Sequence, residues 1–257
     1  MADFISPACV LPVAPQPAHL RQVQQYYEEM VVAVMQTLTT RWDPSYPFVD
    51  TKLDVGSPEG ADFQPNDPIR GRNAVYGWIQ GRGLEALAGH CAWLRRRNDA
   101  SAERPAAAHE SWRPLQLELR EILSAVVVTV QSMRRQNNGR LWFFLQADDG
   151  TPFALREGIS PFAPPEPVAI DLSDRPLGFA DVFTAKGLFA AAVELNDSAT
   201  RADAVSYIER VTEAIFAGPD GFANDQEVGF QLRKTSGPVP ERMAESIMCA
   251  NEMFVCG

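Results

Sequence analysis

Apolar residues return at every third or fourth position through most of this chain, and that period specifies helices stacked on helices. The first stripe is Leu20, Val23, Tyr27, Met30, Val31, Val34, Met35 and Leu38, closed by the turn signal Asp43-Pro44. A second runs from about Asn73 to Arg97 through Val75, Trp78, Ile79, Leu84, Leu87, Cys91 and Leu94. The third, from about Ser111 to Gln136, carries Leu115, Leu119, Ile122, Leu123, Val126, Val127 and Val130. A fourth helix is expected over Phe179 to Leu195. A fifth spans Thr200 to Ala217 with Val205, Ile208, Val211 and Ile215 inward, and a sixth segment runs from Pro240 to the end.

One stretch has a different texture. Gly139 to Leu145 reads as a strand, Asp148-Asp149-Gly150 as a hairpin turn, and Thr151 to Leu155 as the returning strand. Residues 1–17 form a Pro-rich extended arm, 43–71 a long loop, and Ser160 to Pro167 a Pro-rich connection. The second helix contains Gly77, Gly81, Gly83 and Gly89, each costing about 1 kcal/mol relative to Ala in a helix. Glycine at that density implies close approach of a neighbouring helix or a ligand. The fold class is therefore all-α, an array of helical hairpins spanning 18–257 with one small β-hairpin inserted.

Charge and composition remove several functions. Lys plus Arg total 23 against 33 for Asp plus Glu, a formal charge of −10, which disfavours nucleic acid and anionic membranes as partners. Arg95-Arg96-Arg97 reads as a solvated last helical turn. No apolar run approaches the roughly 20 residues that a membrane helix needs, and the N-terminus lacks a basic leader segment. The four cysteines (Cys9, Cys91, Cys249, Cys256) have no zinc spacing, so no metal and no cofactor is expected, and thiol usage suggests a cytoplasmic setting.

The segment Asn66 to His90, with Trp78-Ile79-Gln80-Gly81-Arg82 at its centre, resembles the first inner helix of the N-acylglucosamine 2-epimerase family, which includes cellobiose 2-epimerases and aldose–ketose isomerases. NNGRLWFFLQADDGTPFAL is similar to that family's hairpin, and DVFTAKGLFAAAVEL to its fourth helix. The resemblance covers residues 20–255. It implies an (α/α)6 barrel, a helical-hairpin toroid of which this chain supplies about six of twelve helices. It also implies a small-molecule sugar substrate and proton transfer at the carbon next to the carbonyl. Arg82 would then steady the enediolate, since a fixed guanidinium stabilises charge developing on oxygen. Trp78, four residues earlier on the same helix face, would bind the sugar, and Asp181 on the fourth helix would face the cleft.

The family mechanism uses two histidines on later helices as acid and base. This chain has only His19, His90 and His109, all in its first half, and Phe183 stands where some members carry a histidine in the fourth helix. The chain therefore reads as the N-terminal half of a longer enzyme, inactive alone. Two other classes stay open. Six-hairpin toroids also carry glycoside hydrolases and lyases that work with paired carboxylates, and an incomplete toroid can be a non-catalytic scaffold. For Arg82, the alternative to function is an ion pair with Glu85 at i+3.

Overall fold

The computed structural model describes residues 13–53, 61–64, 67, 69–102, 112–156 and 166–225. The expected sixth helical segment, His109 and most of the N-terminal arm lie outside them. Five helices dominate: α1 (Pro17–Arg41), α2 (Gly77–Ala102), α3 (Arg113–Gln136), α4 (Phe179–Leu195) and α5 (Ser198–Phe216). Four short strands form an antiparallel sheet in the order β1 (Ala74–Tyr76), β2 (Phe144–Gln146), β3 (Pro152–Arg156) and β4 (Glu166–Ala169). No helix among the described residues is long and apolar enough to cross a membrane.

Side-chain pairs fix the helix directions. Trp78 meets Phe183, Glu85 meets Lys186 and Arg95 meets Glu194, so α2 and α4 run parallel. Gln131 meets Thr200 and Arg134 meets Asp203, so α3 and α5 are parallel to each other. Arg120 bonds the carbonyls of Glu194 and Leu195, which sets α3 antiparallel to α4. Arg97 pairs with Glu28 across the far end of α2, while Gln80 near its start bonds the backbone of Val49, just past the end of α1. The result is two parallel helices, α2 and α4, braced by α1, α3 and α5 running the opposite way.

The glycines explain why α2 and α4 lie so close. A Cβ at Gly81 would run into the backbone of Phe183, and one at Gly187 into the carbonyl of Gly81. The two backbones touch because neither residue has a side chain. Gly89 has nothing within 4 Å, so contact with a neighbouring helix does not account for it.

The single hairpin expected of an all-α chain is instead the middle of a four-stranded antiparallel sheet. The expected hairpin is present, Phe144 paired with Phe153 and Leu145 with Pro152 across the Asp149-Gly150 turn, but its first strand covers only Phe144–Gln146 rather than Gly139 to Leu145, and two more strands flank the pair. β1 lies where the apolar spacing predicts the start of α2, because three residues are too few to display a period of two. β4 sits at the sheet edge inside a Pro-rich stretch, where Pro167 costs no ladder bond. β1 leads straight into α2, with the Gly77 N–H donating to the carbonyl of Phe143 at 3.0 Å. The sheet therefore closes the end of the bundle where α2 begins.

The third stripe is buried in full, from Leu115 through Val130. The first is not. On α1 only Val32 and Met35 are buried, whereas Leu20, Tyr27, Met30 and Val34 face outward. On α5 the inward positions are Thr200, Ala204, Tyr207 and Val211, and Val205 is exposed.

Candidate functional site

Arg82 lies on the solvent face of α2, one turn above Trp78 and beside the first turns of α4. Its Cζ is 5.8 Å from the Trp78 ring centroid and 5.6 Å from that of Phe183, while the two rings are 6.3 Å apart and inclined by 50°. Those three lengths make a nearly equilateral triangle. The guanidinium therefore sits over the mouth of a V formed by two aromatic rings, not sandwiched between them. Such contacts are each worth roughly 0.5–1 kcal/mol at an exposed site. They hold the charged group while leaving its N–H edge free to donate.

Trp78 itself is immobilised from behind. Phe143 stacks on it with centroids 6.1 Å apart and planes 10° from parallel, and its indole Nε1 is buried without a hydrogen-bond partner. One face of the indole is thus already covered, and its remaining face lies toward Arg82. Arg82 makes no ion pair with Glu85. That carboxylate instead reaches across to Lys186 of α4 at 2.9 Å, and both groups remain partly exposed.

Asp181 departs from expectation. It is fully buried and cannot touch a ligand in a cleft. One carboxylate oxygen accepts from Arg140 Nη2 at 3.0 Å and from the Gly178 N–H at 2.9 Å, and the other from the Tyr207 hydroxyl at 2.5 Å. Arg140 also donates to the carbonyls of Arg175 and Pro176, at 2.5 and 2.7 Å. Asp181 is the hub that fixes the start of α4 and, through it, Phe183. Beside it, Asp225 accepts from the Phe179 and Ala180 N–H groups at 3.1 and 3.0 Å. Burial, with the Asp181 charge adding to it, pushes Asp225 up to about 6 against those two bonds. The same burial and neighbouring carboxylate hold the Tyr207 hydroxyl far above its ordinary range.

The histidines fall elsewhere. His19 accepts from the Gln16 N–H at 3.1 Å, closing the start of α1. His90 is half-buried and held below its ordinary value by burial. It lines a cavity of about 620 Å³, open mouth included, between α1, the 42–50 loop and α2. Arg41, Asp43, Asp50 and Arg72 share that lining. They form a network in which Arg41 bonds Asp50 at 2.9 Å and Asp62 at 2.6 Å, while Arg72 bonds Asp43 at 2.8 Å. Among the described residues no three His, Cys, Asp or Glu side chains are placed to hold a metal.

The spacing of Trp78 and Arg82 predicts their shared helix face, but not Phe183 as their companion. The signal was absent from the linear pattern, because only the glycine contact between α2 and α4 brings Phe183 into register with Arg82. Comparison of the chain with protein-family models, with curated proteins and with solved structures finds no match.

Proposed function

We propose that this chain is the N-terminal part of a sugar 2-epimerase or aldose–ketose isomerase of the N-acylglucosamine 2-epimerase type. In that reading, the two parallel helices and their three braces are consecutive members of an (α/α)6 barrel. The observation that carries the reading is the seat of Arg82. A guanidinium on the solvent face of an inner helix, gripped by two rings and with no carboxylate partner among the described residues, suits an oxyanion developing on a bound sugar.

Removing the proton next to a carbonyl leaves negative charge shared by two adjacent oxygens. The in-plane N–H fork of arginine matches such a pair. Trp78 contributes the apolar wall and the backing of the guanidinium, and the Glu85–Lys186 pair offers an acceptor and a donor for hydroxyl groups. The acid and base are expected from helices that follow this sequence. Without a positioned base the rate falls about 10²–10⁴-fold, so residues 1–257 alone are expected to be inactive.

The test is exchange at C2 in heavy water by the longer polypeptide, with mannose, N-acetylglucosamine and cellobiose as substrates. Deuterium incorporation that Arg82→Met abolishes supports the proposal. Release of new reducing ends without exchange would assign a hydrolase, and neither outcome on any sugar would leave a scaffold. Exchange by residues 1–257 alone would show that a histidine of this chain serves as the base.

A further inference from the structure

The exposed side of α1 carries a pattern of its own. Leu20, Val23, Tyr27, Met30, Val34 and Thr37 follow one another at alternating steps of three and four. That is the seam of a two-helix coiled coil, with Leu20, Tyr27 and Val34 at one core position and Val23, Met30 and Thr37 at the other. The helix is buried in its own domain on a different side, through Val32 and Met35. Along the seam, Leu20 is 51 %, Tyr27 54 %, Met30 46 % and Val34 54 % exposed. A contiguous apolar ridge of this kind is unusual on a monomer and marks a contact surface.

We infer that this seam pairs with the same seam on a second copy of the chain, about a two-fold axis. Charge is the first argument. A chain of net charge −10 repels itself at most faces, yet the positions flanking the seam are Gln24, Tyr26, Val31, Ala33, Leu38 and Thr40, none of them charged. Flanking charges normally select or forbid partners in such pairs, and here nothing forbids a copy in either orientation. Area is the second. The half-exposed seam residues offer on the order of 500 Å² per copy, about 1,000 Å² in all, which is the lower edge of a specific interface and fits micromolar affinity. An isologous contact also closes on itself, so the assembly stops at two.

Sedimentation of residues 1–257 from about 1 to 200 µM tests this. The weight-average mass is expected to rise from one chain to two across that range. Tyr27→Lys with Val34→Lys, or Met30→Glu as an independent variant, is expected to remain a monomer with an unchanged circular-dichroism melt, since these side chains are already solvent-facing. Phe216→Lys removes an exposed aromatic outside the seam, at the end of α5 (78 % exposed), and is expected to dimerise like the parent chain. A parent chain monomeric at 200 µM would overturn the inference. So would a dimer that survives both α1 variants, or one lost on Phe216→Lys.

Discussion

Lys52 is a buried cation without a hydrogen-bond partner, and replacing it is expected to strengthen the fold. Its side chain is 2 % exposed, its Nζ has no hydrogen-bond partner, and the ammonium lies 4.7 Å above the Tyr76 ring. Burial pulls its pKa from 10.5 down to about 8, against the charges of Asp50 and Asp67. At about 1.4 kcal/mol per tenfold change in proton affinity, the buried charge costs about 3 kcal/mol at pH 7. Lys52→Met keeps the volume and removes the charge, but loses a cation–ring contact worth roughly 0.5–2 kcal/mol. The net gain at pH 7 is expected to be about 1–3 kcal/mol.

The pH profile separates this cause from simple repacking. Between pH 8 and 10.5 the unfolded chain holds the Lys52 proton and the folded chain does not, so stability rises with pH in that window. Urea unfolding from pH 7 to 9.5 should show the parent's stability rising by about 2 kcal/mol relative to the variant's, a difference from which the buried Cys91 thiol, held up to about 11 and lowering both profiles above pH 9, cancels. Readings stop there because burial holds Tyr46 and Tyr76 above their ordinary values, and their ionisation when unfolded reverses the trend. A variant weaker at pH 7, or one whose profile parallels the parent's, would refute the reasoning.

Gly81→Ala should cost about 1–3 kcal/mol or more, because its Cβ meets the Phe183 backbone and α2 and α4 must part. Gly89→Ala has open space around it and should gain up to about 1 kcal/mol; paired thermal melts check both. Phe183→Leu opens one side of the Arg82 seat and is expected to speed modification of Arg82 by phenylglyoxal several-fold, read by peptide mass spectrometry, whereas Phe183→Tyr should not. Asp225, raised from 3.8 to about 6, favours the folded state while protonated, and that advantage shrinks as pH rises from 4 through 6. Asp225→Asn should remove up to about 3 kcal/mol of this slope, seen as the difference between the two urea profiles from pH 4 to 7.

The helices were legible because a period of 3.6 survives in the linear order, and α3 shows the reading at its best. α1 shows where it stops. Its stripe announced a helix, but an apolar stripe does not say whether it turns to its own core or outward, and here Val32 and Met35, at the edge of the pattern, take the core. β1, three residues running straight into a helix, and β4, in a Pro-rich stretch, leave no period of two to read. The site was half legible: Trp78 and Arg82 share a face by spacing alone. Asp181 resembled a cleft residue in one dimension, and its burial depends on Arg140 and Tyr207, 41 positions before and 26 after it.

The backbone contact at Gly81 and Gly187 also decides what can move. Helices separated by interdigitating side chains can slide or shear as rotamers change, but two backbones in van der Waals contact have no such slack. Arg82 on one helix, and Phe183 and Lys186 on the other, therefore travel as one rigid body. Any gating of a ligand at this face must come from elements that pack onto the α2–α4 pair, because the pair itself has no hinge between its halves.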